Sequence, residues 1–378
     1  MLEFMSLSYS GMVIALAIAA LAGVILWLDR AFSGRYLKAI SAAVLCLSLP
    51  LFLGSGYHIF MTLRAAQLYP APGQLVDVGG YKMHILAEGE KGDHPTVVWV
   101  SGGHDQGLVL HHLHKKMSQE ARSILFDRPG SGWSEVGPFP RRVALEVQEL
   151  HRLLKAAGEQ GPYILVPWSF GGPLAMTYAQ LYPQETAGLI LMDTTFATLP
   201  VFDREANVKD MCDRNIKMAW RARFGLEWNP AARLTQDQLA YYRDLYAPIA
   251  DVQDALNANN AQPAFNLATC SALYDSAVRV FGATQAAGAL GDLPIYVIMA
   301  DDYKDQMKRS AEQHYSTELE IKNAIWFGAR LPLEMAALSS AAKIYVSPEG
   351  TTHSFPFEVP DYILAKVREM MQEHPSEK

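Results

Sequence analysis

The chain has 378 residues, half of them hydrophobic and only 19% charged, with a formal net charge of −7. This length holds one large α/β domain with additions, or two domains. The composition excludes a disordered chain, and the acidic balance gives no footprint for a nucleic-acid partner.

Two apolar runs come first, Gly11 to Leu28 and Ala39 to Leu63, each long enough to cross a bilayer as a helix. The second carries Pro50, Gly54 and Gly56, where a bend is expected. Neither run has the polar face of a soluble helix, so residues 1–68 are expected to form a transmembrane hairpin. No basic residue precedes the first run and no small-residue cleavage site follows it, which argues against a removed signal peptide. Arg30, Arg35 and Lys38 sit in the connection, so the positive-inside rule puts that loop in the cytoplasm. The rest of the chain is then expected on the outer face of an inner or plasma membrane.

Beyond Pro70-Ala71-Pro72-Gly73 the pattern changes to short β runs. Gln74 to Val78 and Tyr81 to Leu86 flank Gly79-Gly80, a hairpin signal. Six more follow: Thr96 to Val100, Ser123 to Phe126, Tyr163 to Val166, Gly188 to Met192, Ile295 to Met299 and Lys343 to Val346. Helical spacing lies between them, clearest in Val143 to Ala157, with Val143, Val147, Leu150 and Leu154 on one face. Glu146, Glu149, Arg152 and Lys155 are expected off that face. This alternation predicts an eight-stranded, mostly parallel sheet covered on both sides. One stretch breaks it: residues 195–291 read as helices rich in aromatic side chains, a cap over the carboxyl ends of the strands. The core is thereby divided into 69–194 and 292–378. Cys46 lies in an apolar run, which leaves Cys212 and Cys270 as the pair available for a disulfide.

Chemistry concentrates at strand ends. Tyr163 to Val166 runs into Pro167-Trp168-Ser169-Phe170-Gly171-Gly172 and then into a helical segment. Strand, sharp turn with a central serine, then helix is the layout of a nucleophile elbow, with Pro167 in place of the usual glycine. The Phe170 amide after the serine is positioned to receive developing negative charge. A second donor is expected from Ser101-Gly102-Gly103-His104-Asp105, at Gly103 N–H or, failing that, Gly102 N–H. A serine needs a base, and His353 follows the last strand directly. The acid should fall between them in sequence: Asp302 is expected, ahead of Asp301 and Asp305, with Asp193 at the end of the preceding strand as a distinct alternative. His104 and Asp105 suit substrate contact or a structural role equally. His111, His112 and His114 tempt a metal reading, but neighbouring histidines on one helix point apart and no matching ligand set appears, so no metal or other cofactor is expected. Asp127-Arg128-Pro129-Gly130-Ser131-Gly132-Trp133-Ser134 lacks the Gly-Lys-Ser/Thr of a phosphate loop.

Taken together, DRPGSGWS, PWSFGG, LILMDTT and GTTHSF resemble the α/β-hydrolase superfamily, and most nearly its membrane-anchored bacterial serine hydrolases with a helical cap. The resemblance covers about Gln74 to Gln372. It implies Ser169 as nucleophile, His353 as base, an acid after the seventh strand, and oxyanion amides at Phe170 and the Gly102-Gly103 loop. Serine rather than aspartate at 169 speaks against the epoxide-hydrolase and dehalogenase branches. The expected activity is cleavage of a carboxylic ester, and the aromatic-rich insertion with the bilayer anchor tilts the substrate toward an apolar small molecule or lipid. Amide cleavage, or a non-catalytic or acyl-transferring relative, is the alternative.

Overall fold

The computed structural model describes residues 2–32, 35–194, 204–228, 235–278, 287–301 and 330–373. A short helix α1 (Leu2–Ser6) precedes α2 (Ser10–Phe32) and α3 (Arg35–Leu68). These two are long and apolar enough to cross a membrane, and only 17% and 11% of their most apolar windows are buried within the protein. No break in α3 appears at Pro50: the helix runs on to Leu68.

The strands are β1 (Gln74–Asp77), β2 (Lys82–Glu88), β3 (Thr96–Val100), β4 (Ser123–Phe126), β5 (Tyr163–Pro167), β6 (Thr186–Met192), β7 (Ile295–Met299) and β8 (Ala342–Val346). They form one sheet in the order β1-β2-β4-β3-β5-β6-β7-β8. Pairing is antiparallel between β1 and β2 and between β2 and β4, and parallel elsewhere.

Because successive side chains of a strand point to opposite faces, the central runs feed two cores. Val98, Val100 and Leu165 pack with Val147, Leu150 and Leu154 of α5 (Val143–Ala156) and with Leu174 and Tyr178 of α6 (Gly172–Leu181). Val97, Trp99, Ile164 and Val166 pack on the other face with Leu113 and Met117 of α4 (His111–Met117) and with residues near the carboxyl end. Covered on both faces, β3, β5 and β7 are buried along their whole length, as their unbroken apolar runs require.

Glu146 and Glu149 depart from expectation: both are buried, at 3% and 0% exposure. Arg141 explains this, since its guanidinium pairs with Glu149 and lies 3.5 Å from Glu146. Paired charges are tolerated inside, where lone ones are not.

Between β6 and β7 lie α7 (Arg204–Arg223), α8 (Gln236–Leu245), α9 (Gln253–Asn260) and α10 (Pro263–Val278). A disulfide joins Cys212 of α7 to Cys270 of α10, with the Cα atoms 4.7 Å apart. The chain closes with α11 (Leu331–Ala336), α12 (Phe355–Glu358) and α13 (Pro360–Glu373). Asp302 and Asp305 lie outside the described residues.

The disulfide closes a loop with a sequence separation of 58 residues. Replacing both cysteines by serine is expected to lower stability by roughly 2–4 kcal/mol. Denaturant unfolding of the detergent-solubilised protein checks this, and an unchanged midpoint would contradict it.

Candidate active site

Three strand ends supply the site. Ser169 follows β5 directly and is held at φ 52°, a left-handed conformation that side chains other than glycine rarely adopt. Two glycines make the turn possible. A Cβ on Gly171 would stand 2.7 Å from the Val100 carbonyl oxygen, and one on Gly172 would stand 2.7 Å from Thr194 Cβ. Pro167 has a visible consequence. Trp168 N donates to Val100 O at 2.9 Å, so the alternation of a parallel ladder would send the amide of residue 167 toward β6. Proline has no such amide, and the β5–β6 ladder stops at Leu165–Leu189, resuming only as an isolated Trp168–Met192 bridge.

The loop after β3 lies against this turn. A Cβ on Gly102 would be 2.9 Å from Ser169 Cβ, so the backbone at 102 touches the serine. Its orientation is fixed from behind by Arg128, whose Nη2 donates to Ser101 O at 3.1 Å and to Gly102 O at 3.2 Å. In a trans peptide the N–H points opposite to the C=O, so holding Gly102 O turns Gly103 N–H away from Arg128. Gly103 has φ 55°, which suits glycine. At Phe170 the amide opens the first helical turn and has no intrahelical acceptor.

His353 follows β8, and its Nδ1 lies 2.5 Å from Asp193 Oδ2. The carboxylate accepts, so Nδ1 carries the proton and Nε2 presents its lone pair. Of the candidate acids, Asp193, after the sixth strand, is the one in contact with His353; Asp302, placed first in the sequence reading, lies outside the described residues. Asp193 is buried at 3% exposure, sits at φ 46°, and is gripped by its own N–H to Ile298 O at 2.8 Å. Asp301 has a different task, accepting Gly350 N–H at 3.0 Å and so bracing the loop that leads to His353.

Two contributors escape a sequence reading. Trp168 stacks on the His353 ring at 5.4 Å and donates its Nε1–H to the His353 carbonyl at 3.0 Å. Phe357 packs edge-on against Trp168, and Tyr246 of the insertion packs edge-on against Phe357. The insertion thus reaches the site through an aromatic chain. It is also clamped to the loop after β3: Gln106 Nε2 donates to Leu256 O at 3.0 Å and to Asn260 Oδ1 at 2.7 Å, while Asn259 donates to Gln106 Oε1 at 3.0 Å.

The remaining motif residues build the frame. Asp127 accepts N–H groups from Gly107 at 2.7 Å and Trp133 at 3.0 Å and contacts His84 Nδ1 at 2.8 Å, so DRPGSGWS ties its own loop to β2 and β3. His104 is buried and lies 3.0 Å from Pro129 O through Nε2; burial, then Arg128, hold its pKa well below the ordinary range. His112 and His114 turn to separate partners, Pro356 O and Ser123 Oγ, while His111 faces Asp251.

Burial pushes the Asp105 carboxyl up to about 6 from an ordinary 3.8, with Arg128 pulling the other way. A raised folded-state value means that folding retains a proton the unfolded chain releases. That contribution is complete below about pH 4 and is lost as pH rises through about 6. Asp105→Asn is therefore expected to flatten the fall in melting temperature across this window. Parallel wild-type and variant profiles would contradict the assignment.

Comparison with known proteins bears on the fold. The family model for the alpha/beta hydrolase fold matches residues 95–300, more than half of the chain. Protein YbdG of Bacillus subtilis is 35% identical over 160 residues, covering 41% of this chain and 47% of that protein. The chain thus spans less than half the length of the curated relatives it matches. An esterase from Thermogutta terrifontis superimposes with a TM-score of 0.55 at 21% identity, covering 79% of this chain and 97% of its own. An epoxide hydrolase from Bacillus megaterium gives 0.55 at 15% identity, covering 79% and 100%. At these identities the likeness is one of fold. With the strand order, the elbow at Ser169 and the histidine after the last strand, the match over residues 95–300 shows that the chain belongs to the α/β-hydrolase family.

Proposed function

We propose that this hydrolase cleaves carboxylic esters of apolar or lipid-like molecules through an acyl-enzyme, with Ser169 as nucleophile, His353 as base and Asp193 as its orienting acid. The observation that carries the reading is the His353 Nδ1–Asp193 contact at 2.5 Å on the same sheet edge as the strained Ser169. Epoxide hydrolases share the fold, but serine at the elbow favours acyl transfer.

Each step uses a group already described. His353 Nε2 takes the Ser169 proton as Oγ attacks the ester carbonyl carbon. The negative charge on the former carbonyl oxygen falls to the Phe170 and Gly103 amides. Collapse breaks the carbon–alkoxide bond, and His353 returns its proton to the departing alcohol. Water, deprotonated by the same imidazole, then attacks the acyl carbon; the carbon–Oγ bond breaks, His353 returns the proton to Ser169 Oγ, and the carboxylic acid leaves. Asp193 remains ionised throughout and stabilises the imidazolium.

The reading includes two membrane-spanning helices, α2 and α3, with the catalytic domain outside. The basic connection between them and the Cys212–Cys270 bridge, which suits an oxidising compartment, both support that orientation. Alkaline phosphatase fused at the carboxyl end is expected to be active, and an inactive fusion would overturn the orientation.

Wild-type protein should label with a fluorophosphonate probe and Ser169→Ala should not. Asp193→Asn is expected to cut kcat on p-nitrophenyl esters by about 10³–10⁴-fold. Equal labelling of Ser169→Ala, or full activity in Asp193→Asn, would defeat the reading. Arg128→Met should lower kcat with little effect on KM, because the amide it aims acts on the transition state. A pure rise in KM would show that Arg128 does not aim that amide.

A further inference from the structure

The insertion and the apolar hairpin meet at one level. A Cβ on Gly11 of α2 would stand 2.6 Å from the Arg223 carbonyl oxygen, and one on Gly54 of α3 would stand 2.6 Å from the Phe224 carbonyl oxygen. Arg223 is buried there, its Nε donating to Ser10 Oγ at 3.1 Å and another guanidinium nitrogen donating to Met5 O. Gly225 follows at φ 74°, where a Cβ would meet the Tyr57 ring at 2.6 Å, and Trp228 Nε1 donates to His58 Nδ1 at 3.0 Å. The end of α7 and the turn after it are therefore wedged against both helices.

Helix lengths say where that level lies in a bilayer. From Gly11 to Phe32 α2 extends about 33 Å, and from Arg35 to Gly54 α3 extends about 30 Å, at 1.5 Å per residue. Both match the hydrocarbon core, roughly 30 Å thick. The part of α3 beyond Gly54 stands clear of that thickness, with Thr62 Oγ1 3.4 Å from Gln262 Oε1.

Exposed aromatic side chains mark the same two levels. Trp27 and Tyr36, 66% and 79% exposed, flank the connecting loop. Tyr9 and Tyr57, 52% and 48% exposed, flank the opposite end, and Trp220 joins them at 43%. Tryptophan and tyrosine favour the headgroup boundary, where an apolar ring and a polar edge are both satisfied. Leu226, apolar and 56% exposed, lies in the turn itself.

We propose that the cap turn Arg223–Leu226 is seated in the outer headgroup layer of the bilayer that α2 and α3 cross, with Trp220 and Leu226 as its interfacial anchors. The proposal rests on the membrane-spanning reading above and adds that the insertion over the active site touches lipid directly. Substrate would then be met at the lipid surface.

The test uses the full chain in phospholipid vesicles. In a Cys46→Ser background, which leaves the bridged Cys212 and Cys270 in place, Leu226→Cys and Trp220→Cys are labelled separately with bimane. Leu333→Cys, 62% exposed on α11, is the control. Nitroxide lipids carrying the spin label near the headgroup are expected to quench positions 226 and 220 at least twofold more than position 333. Equal quenching at all three positions, with the protein retained after alkaline carbonate, would overturn the seating of the cap alone. Release of the protein by carbonate would overturn the membrane-spanning reading and this proposal with it.

Discussion

The contact between His353 Nδ1 and Asp193 Oδ2 is the constraint on which the site depends. It spans 160 residues and joins a buried carboxylate to an imidazole whose side chain is 45% exposed. Neither partner is left to find the other. The left-handed turn at Asp193 aims the carboxylate, and the amides around β7 lock it, with Ala300 N reaching its Oδ1 at 3.4 Å. From the other side, Trp168 holds the His353 carbonyl and Asp301 holds Gly350. His353 is therefore positioned by the residue preceding Ser169 and by the strand next to the one that leads into Asp193.

The loop after β3, which the proposed mechanism uses as oxyanion donor, is held in the same way. Arg128 directs its Nη2 at two carbonyls, and Gln106 directs its amide at α9. Donors in a preorganised site need no reorganisation when charge develops, which is where much catalytic stabilisation arises. Clamping the loop to the insertion also ties the geometry of the site to the cap. If the cap in turn rests on lipid, the anchor, the cap and the oxyanion loop form one mechanical series.

Much of this was legible in the sequence, for reasons of distance. The central strands are recognisable because a strand buried on both faces is a local apolar run, whereas β1, largely exposed like β8, is marked by the Gly79-Gly80 hairpin signal. Ser169 stands out in the sharp turn after such a run, and His353 in the loop after the last strand. Sequence alone does not order the candidate acids, because β6 and β7 are both followed by aspartate and the local signals are equivalent. Which end faces His353 depends on packing across the sheet, and no window of sequence contains that. Arg128 and Trp168 were missed for the same reason, since their partners lie 26 or more residues away. Glu146 and Glu149 look like solvated positions until Arg141 is placed beside them. The cysteine pair, by contrast, emerged by exclusion of Cys46, and the packing of α7 on α10 completes it.

The most direct measurement is a structure of the protein inactivated by a fluorophosphonate. The account predicts phosphorus bonded to Ser169 Oγ and His353 Nδ1 still on Asp193. The phosphoryl oxygen should lie about 2.7–3.1 Å from the amide nitrogens of Phe170 and Gly103. An adduct on another side chain, or a His353 ring paired with Asp302 while Asp193 turns away, would contradict it.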